Sequence, residues 1–317
     1  MTNKLEQLRA MTTVVSDTGD MDAIKAFRPT DATTNPSLIL KAAEMPAYAR
    51  LVDEAIVWGR KRGASVGEVT DRIAINFGSE LTKIVPGRVS TEVDADLSFD
   101  TEAMVAKAKS IIAAYKERGV GREHILIKLA STWEGVEAAR QLQPEGIDCN
   151  MTLVFSLAQG IAAGDAGAFL LSPFVGRILD WHVKAGGGPY TPDNDPGVES
   201  VRAIYAYYKT YGVKTVVMGA SFRSTGEIEA LAGCDRLTIS PNFLDALAKD
   251  EGVLKRRLDP AHPGAAHPKI KMDEKTFRWM LNEDQMATEK LSEGIRVFAH
   301  DLNKMRAMVE QRLAKAA

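Results

Sequence analysis

The chain is poor in cysteine and contains no long apolar segment. Its 317 residues include only two cysteines, Cys149 and Cys234, both within apolar stretches, which argues against a disulfide framework and favours a reducing compartment. The N-terminal residues lack an apolar core of signal-peptide length, and no uninterrupted apolar run approaches the length of a membrane-spanning helix. A formal net charge of −2 gives no support for a surface that binds nucleic acid. These absences predict a cytoplasmic protein with neither a membrane nor a nucleic-acid partner.

Motifs that hold metals or nucleotides are also missing. There is no HExxH or CxxC motif, and the five histidines show no metal-ligand grouping at the predicted strand ends. No GxGxxG or GxxxxGK[ST] motif occurs, so the sequence does not support a dinucleotide or P-loop nucleotide site.

What the chain does contain is a regular alternation of strand-like and helical segments. Hydrophobic residues make up 45% of the chain and charged residues 26%, which is ordinary for a globular protein with a substantial core. This alternation predicts parallel strands connected by helices, and eight units in this length predict an α/β fold of the closed (β/α)8 TIM barrel type rather than an open sheet. The predicted strands cover residues 12–17, 31–38, 88–94, 125–130, 149–155, 169–175, 215–221 and 236–241.

The helical segments add two features to the predicted barrel. The gap between the second and third strands is wide enough for two helices, at about residues 40–61 and 66–84. After the eighth strand, a loop rich in proline, glycine and histidine leads into a C-terminal helical segment that ends near Ala317. Because no repeat, charge block or low-complexity linker divides the chain, we predict a single barrel domain over residues 1–317.

One predicted strand, ILIKLA, carries a lysine in the middle of an apolar run. Alternate residues of a strand face the same side, so Lys128 shares a face with Leu126 and Ala130. One interpretation is a lysine whose alkyl chain lies on apolar surface while its ammonium group reaches water. The other is a site residue, because Lys128 lies near the C-terminal end of its strand, where barrel enzymes build their active sites.

Polar residues occur at corresponding places on the other predicted strands, so they are expected to converge on one mouth of the barrel. A neutral lysine amine can form a Schiff base with a carbonyl, and two nearby carboxylic acids suit the proton transfers that accompany it. These residue types predict covalent catalysis of carbon–carbon cleavage. The candidate residues that join Lys128, including one phenylalanine on the sixth strand, are Asp17, Thr33, Asn35, Glu92, Asn150, Thr152, Ser172, Phe174 and Ser221.

Two arginines indicate a phosphate site. Arg177 follows SPFVG and Arg223 follows the seventh strand, each close to the start of a predicted helix. Backbone amides at a helix N-terminus and guanidinium groups both suit a phosphate, and barrels often hold phosphate in their later loops. From the spacing alone, a pair of solvated surface arginines remains the alternative.

At these residues the chain strongly resembles the transaldolase family of the pentose phosphate pathway. The matching stretches follow one another from Thr12 to Pro241, so the resemblance covers nearly the whole chain. It implies a circularly permuted barrel of the class I aldolase type, a homodimer, and no need for a metal or an organic cofactor. The stretches are TTVVSDTGD, DATTNPSLIL, VPGRVSTEVDADLSFDTEA, ILIKLASTWEG, CNMTLVFSLAQ, SPFVGRILDW, TVVMGASFRSTGEI and LAGCDRLTISP.

The resemblance also implies a role for each candidate residue. Lys128 is expected to be the Schiff-base nucleophile, and Glu92 is expected to act through a water that Thr152 helps to hold. Asp17 is expected to take the donor hydroxyl proton during cleavage and return it to the acceptor. The expected ligands of the sugar hydroxyls are Thr33, Asn35, Asn150 and Ser172, and those of the phosphate are Arg177, Ser221 and Arg223.

The reaction implied by the resemblance is a transfer. A dihydroxyacetone unit would pass from sedoheptulose 7-phosphate to glyceraldehyde 3-phosphate, which yields erythrose 4-phosphate and fructose 6-phosphate. Related fructose 6-phosphate aldolases carry a tyrosine where this chain has Phe174, and because phenylalanine cannot donate a proton we expect transfer rather than release of dihydroxyacetone. Two alternatives remain open, namely a lyase of the fructose 6-phosphate aldolase type and a catalytically silent barrel that binds sugar phosphates.

Overall fold

The computed structural model of the chain, which describes residues 2–315, contains a closed barrel of eight parallel strands. Each strand pairs with the next one along the chain, and β8 closes the barrel by pairing with β1. The predicted (β/α)8 barrel is therefore confirmed. The strands are β1 (Thr13–Asp17), β2 (Asp31–Thr33), β3 (Val89–Glu92), β4 (Ile125–Ala130), β5 (Cys149–Val154), β6 (Leu170–Pro173), β7 (Val216–Gly219) and β8 (Arg236–Ile239).

Helices connect the strands and extend the chain beyond them. Within residues 2–315, no helix is both long and apolar enough to cross a membrane. The helices are α1 (Lys4–Arg9), α2 (Met21–Phe27), α3 (Pro36–Ala43), α4 (Ala49–Arg62), α5 (Val66–Leu81), α6 (Thr101–Glu117), α7 (Trp133–Leu142), α8 (Leu157–Asp165), α9 (Val175–Lys184), α10 (Pro196–Tyr211), α11 (Thr225–Ala230), α12 (Pro241–Lys249), α13 (Glu274–Glu283) and α14 (Gln285–Ala314).

The predicted second strand, 31–38, is wrong beyond Thr33. The side chain of Asn35 caps α3 by accepting a hydrogen bond from the backbone N of Leu38, and Pro36 occupies the first helical turn. Proline suits that position because it has no backbone N–H to leave unpaired. Asn35 therefore lies in the turn after β2 and not in a strand, contrary to the predicted range.

Other predicted boundaries also need correction. Apart from β4, the remaining predicted strands include one to three residues that lie outside the observed strands. The predicted helix at 40–61 is interrupted, because α3 ends at Ala43 and a 3₁₀ turn that begins at Pro46 precedes α4. Proline cannot continue a helix, so the second gap holds three helices instead of two.

The barrel interior is built in layers. An apolar middle layer is formed by Val15, Leu126, Leu170 and Met218, from β1, β4, β6 and β7. Such layers of branched or long apolar side chains are typical of closed barrels, and they make the interior a packed core. Below this layer, at the N-terminal ends of the strands, lie charged residues, and above it, at the C-terminal ends, lie the candidate site residues.

Helix α14 contributes to the roof of the barrel mouth. Its Phe298 belongs to an apolar cluster with Phe155 and Phe174, which come from the loops after β5 and β6. Gly294 allows close packing, because a Cβ atom at this position would lie 2.6 Å from Cδ2 of Leu153. The C-terminal segment is therefore part of the site's enclosure.

Candidate active site

Lys128 points into the barrel and contacts Glu92. The two residues are directly paired in the register of β3 and β4, so both side chains rise from the same level of the wall. Nζ of Lys128 lies 3.0 Å from Oε2 of Glu92, and the side chains are only 3% and 4% exposed. Nζ also donates a hydrogen bond of 3.3 Å to the carbonyl O of Thr34. A lysine that extends its ammonium group to bulk water is thus excluded.

The polar atoms around Lys128 are incompletely satisfied. Although Oε2 of Glu92 is close enough to Lys128 for an ion pair, the contact does not meet hydrogen-bond geometry, and no other described residue donates to this oxygen. Oγ1 of Thr152 is likewise buried without a hydrogen-bond partner in residues 2–315. Buried polar atoms nearly always have partners, so two such atoms on neighbouring parts of the barrel wall indicate a place where a polar ligand or water binds.

The two acids of the site have raised pKa values. Burial raises the pKa of Glu92, and the positive charge of Lys128 opposes this shift only in part. Burial also raises the pKa of Asp17 at the end of β1, against the opposing charges of Lys128 and Arg177. Two carboxyl groups that hold protons more readily than usual, next to an amine, can act as general acids and bases.

A chain of hydrogen bonds fixes the polar residues beside Lys128. Asn150 is the neighbour of Lys128 across the β4–β5 pair. Its Oδ1 accepts a hydrogen bond of 2.6 Å from Oγ of Ser172, and its Nδ2 donates one of 3.0 Å to Oγ of Ser90. Thr33 is buried on β2, where it pairs in register with Asp17. These contacts set the direction of the amide and hydroxyl groups before any ligand binds.

A bulge in β5 shapes the wall above Asn150. The register between β5 and β6 shifts between Met151 and Val154, and Leu153 adopts a φ of 56°, which is uncommon for a residue with a side chain. Bulges of this kind occur next to active sites because they redirect neighbouring side chains. Nothing in the CNMTLVF stretch indicated this irregularity.

The two predicted phosphate ligands lie in different surroundings. Arg177 is in the first turn of α9. Its guanidinium makes no hydrogen bond or ion pair with another residue of the described chain. Its guanidinium lies 4.9 Å from the ring centre of Phe174 and 5.4 Å from that of Phe298. Burial and the nearby Arg223 lower its pKa. Arg177 is therefore an inward-facing cation that is available to an anion.

Arg223 lies at the rim of the same site. It is paired with Asp180 through Nη2 at 2.7 Å, and both side chains are substantially exposed. Its Nη1 donates to the carbonyl O and Oγ of Ser221, at 3.2 and 3.4 Å. Ser221 lies two residues beyond β7 with a φ of 60°, and its carbonyl O accepts a hydrogen bond from the backbone N of Gly176. The loops that carry the two arginines are thus joined through their backbones.

Two site residues were missed from the sequence. The carbonyl of Thr34 contacts Lys128, and the ring of Phe298 lies 5.7 Å from Nζ of Lys128. A backbone carbonyl has no sequence signature, and an apolar residue on an amphipathic helix ordinarily indicates core packing. In the described part of the chain, no group of three or more His, Cys, Asp and Glu side chains is arranged to hold a metal.

Comparisons with known proteins agree with this geometry. Residues 14–309 match the family described as transaldolase/fructose-6-phosphate aldolase. The chain is 64% identical to the transaldolase of Rhizobium leguminosarum bv. trifolii and 63% identical to that of Agrobacterium fabrum, in each case over the full length of both chains. It is 56% identical to the transaldolase of Aeromonas salmonicida, over 99% of this chain and all of that protein. The chain belongs to the transaldolase/fructose-6-phosphate aldolase family.

Proposed function

We propose that the chain is a transaldolase, a transferase that moves a dihydroxyacetone unit from sedoheptulose 7-phosphate to glyceraldehyde 3-phosphate. The products are erythrose 4-phosphate and fructose 6-phosphate. The observation that carries the proposal is the buried Lys128 beside Glu92 in the barrel mouth, with Asp17 near enough to interact with it electrostatically. The transaldolases to which the chain is similar over its whole length support the same reaction.

Schiff-base formation is the first step. The Lys128 ammonium loses a proton to the Glu92 carboxylate through a bound water, and the neutral amine adds to the ketone carbon of the donor sugar. The resulting carbinolamine loses its hydroxyl as water, with a proton supplied from Glu92 along the same path. The unpartnered Oγ1 of Thr152 and Oε2 of Glu92 are suited to hold that water. The product is an iminium on Lys128.

Carbon–carbon cleavage follows from the iminium. Asp17 takes the proton of the donor's C4 hydroxyl, the bond between C3 and C4 breaks, and its electron pair flows into the iminium. Erythrose 4-phosphate leaves as an aldehyde, and a three-carbon enamine remains on Lys128. In the second half-reaction the enamine carbon attacks the acceptor aldehyde, and Asp17 returns the proton to the new hydroxyl.

Substrate binding uses the groups around this centre. Asn150 and Ser172 present an amide and a hydroxyl whose directions are set by their mutual hydrogen bond, next to the lysine. Thr33 and Asn35 complete the set of ligands for the hydroxyls of the three-carbon unit. The phosphate is bound by Arg177 with Ser221 and Arg223, and Arg223 must exchange part of its contact with Asp180 for the ligand.

Transfer requires that the enamine is not protonated by water. Phe174 packs edge to face against Phe155 with ring centres 5.7 Å apart, and the Phe298 ring lies over Lys128. These rings exclude water from the roof of the site and offer no proton donor. A lyase of the fructose 6-phosphate aldolase type would use the same lysine and acids but would allow this protonation.

Steady-state assays with and without an aldehyde acceptor test the proposal. With fructose 6-phosphate as donor, we expect rapid erythrose 4-phosphate consumption or glyceraldehyde 3-phosphate formation only when an acceptor is present, and little free dihydroxyacetone. Release of dihydroxyacetone at the same rate without an acceptor would identify a lyase instead. Absence of any turnover with sugar phosphates would favour the silent binding barrel.

The cellular compartment, the oligomeric state and the domain organisation are also proposals. We infer a cytoplasmic enzyme that works as a homodimer, with the barrel and its C-terminal helices as one domain. The sugar phosphate substrates are polar intracellular metabolites, and Phe298 of α14 joins the barrel residues in a single apolar cluster. Analytical ultracentrifugation at assay concentrations tests the dimer directly.

A further inference from the structure

Two carboxyl side chains lie buried behind the phosphate loops, and the proposed reaction does not use them. Asp195 and Glu227 are 3% and 1% exposed, and their carboxyl groups are close enough to shift each other's pKa. Burial raises the pKa of Asp195 and raises that of Glu227 to about 7. Two carboxyl groups that are buried close together are costly to ionise at the same time.

Glu227 holds the backbone of the loop that carries Arg223. Its Oε2 accepts hydrogen bonds from the backbone N of Arg223 at 2.5 Å and of Ser224 at 3.3 Å. Its own backbone N donates to Oγ of Ser224, which completes a capping box at the start of α11. The other oxygen, Oε1, is buried and receives no hydrogen bond from another residue in 2–315.

Asp195 holds the start of α10 in a similar way. Its Oδ1 accepts hydrogen bonds from the backbone N of Gly197 at 2.7 Å and of Val198 at 3.2 Å. Gly197 lies directly against α9, because a Cβ atom there would be 2.1 Å from the carbonyl O of Val175. The start of α10 therefore supports the start of α9, which carries Arg177.

The start of α9 in turn contacts the Arg223 loop. A Cβ atom at Gly176 would lie 2.5 Å from the carbonyl O of Ser221 and 2.6 Å from Cγ of Arg223. The Arg223 loop, the start of α9 and the start of α10 therefore pack against one another without intervening side chains. Glu227 holds the first of these segments and Asp195 holds the last. A displacement of Glu227 would move the backbone of Arg223 relative to Arg177.

We propose that the buried carboxyl groups of Asp195 and Glu227, through their hydrogen bonds to backbone N–H groups, position the phosphate-binding arginines, so that these two acids set the enzyme's preference for phosphorylated substrates. The proposal rests on the proposed function, since it assumes that Arg177, Ser221 and Arg223 bind the phosphate. Asp195 and Glu227 are positioning residues, because they contact the loops that bind the ligand and not the reacting atoms.

The test compares a phosphorylated acceptor with its unphosphorylated counterpart. We measure kcat and KM for glyceraldehyde 3-phosphate and for glyceraldehyde at saturating sedoheptulose 7-phosphate, which releases erythrose 4-phosphate with either acceptor. In Glu227→Ala we expect KM for the phosphorylated acceptor to rise roughly tenfold, the size of one lost charge-assisted contact, with kcat and the KM for glyceraldehyde nearly unchanged. Glu227→Gln should stay close to wild type, because the oxygen of its side-chain amide can still accept the hydrogen bonds from the backbone N of Arg223 and of Ser224.

Two further variants keep the test decisive. Glu227→Asp retains a carboxyl group, but the shorter side chain withdraws it from the backbone N of Arg223. This variant replaces Glu227→Ala in the test if Glu227→Ala does not fold. We expect its KM for the phosphorylated acceptor to change in the same direction. Glu229→Ala is the matched control on the same helix, because Glu229 contacts Lys4 at 2.8 Å, and we expect no change in the preference for phosphate.

The wild type and the variants answer separate questions. A wild-type enzyme that does not distinguish the two acceptors would remove the phosphate site from the proposed function, and the positioning proposal with it. A wild-type preference that persists in folded Glu227→Ala and Glu227→Asp would overturn the positioning proposal alone. So would an equal rise in KM for both acceptors, because a general structural defect does not discriminate between them.

Discussion

The two ends of the barrel interior both contain buried charges, but only the N-terminal end pairs them fully. There, Asp31 forms an ion pair with Arg236 and accepts a hydrogen bond of 2.8 Å from the backbone N of Arg88. The guanidinium of Arg88 pairs with Asp148. Both arginines also lie over the ring of Phe169, at 4.3 and 5.6 Å from its centre. Each charge at this end has a partner of opposite sign.

At the C-terminal end the pairing is incomplete. Lys128 and Glu92 are close without an aligned hydrogen bond, Oγ1 of Thr152 has no partner in the described chain, and Arg177 faces the cavity. An apolar layer that includes Val15 and Leu126 separates this end from the other. The difference shows that burial of charge alone does not identify a site. The barrel mouth differs because its polar groups are held in place while some of their hydrogen-bond donors and acceptors have no partner. A substrate can supply those partners.

Lys128→Met gives the largest expected effect. The substitution keeps an apolar chain in the barrel and removes the amine that is proposed to form the Schiff base, so transferase activity should fall to background. The matched control is Lys107→Met. Lys107 is also largely buried and paired, with Asp71 at 2.7 Å, but it lies outside the barrel mouth. Substantial activity in Lys128→Met would show that the lysine is structural, like the charges at the N-terminal end.

Glu92→Gln should cause the next largest loss of activity. Loss of a general acid–base group typically slows a reaction by about 10²–10⁴-fold, and here the slow step should become Schiff-base formation. Rapid-mixing measurements of adduct formation would detect this change, while circular dichroism should show an intact fold. A variant that unfolds would indicate that Glu92 serves the same structural purpose as Asp31.

Asp31→Ala should lower the stability and leave kcat nearly unchanged, which is the opposite of the effect expected for Glu92→Gln. It leaves the largely buried Arg236 and the backbone N of Arg88 without their partner, and loss of one member of a buried pair costs about 3–5 kcal/mol in free energy of unfolding. The fraction that remains folded should keep near-normal kcat. Denaturant unfolding measures the first quantity, and Asp148→Ala, whose pair with Arg88 is more exposed, should lose less stability. A catalytic defect with unchanged stability would reverse the assignment of the two ends.

The pH dependence of activity is the smallest predicted effect. Burial raises the pKa of Asp17 and of Glu92, so each carboxylate takes up its proton at a higher pH than an exposed acid would. Because Asp17 must be ionised to accept the hydroxyl proton, kcat/KM should fall on acidification well above the ordinary carboxylate pKa of about 4. A pH profile with its acid limb at about 4 would mean that the two acids are as well solvated as surface carboxylates.

The sequence predicts the barrel and most of the site for one physical reason. Strand periodicity and the position of strand ends determine which side chains face a common mouth, and they correctly brought Lys128 together with Glu92 and Asn150. The two arginines near helix starts were predicted to form one phosphate site, and the loops that carry them are joined by a hydrogen bond from the backbone N of Gly176 to the carbonyl O of Ser221.

What could not be predicted depends on contacts between distant segments. Asn35 was taken for a strand residue because its capping role depends on where α3 begins. The φ of 56° at Leu153 and the placement of Phe298 over Lys128 depend on how α14 packs on the barrel, with Gly294 against Leu153. Periodicity within one segment carries no information about such packing.

Borohydride trapping tests the central claim most directly. The enzyme is incubated with fructose 6-phosphate, reduced with sodium borohydride, digested and examined by mass spectrometry. The account predicts a three-carbon adduct on the peptide that contains Lys128, and none in Lys128→Met. The absence of an adduct in the wild type, or an adduct on a different lysine, would contradict the proposal that Lys128 is the Schiff-base residue.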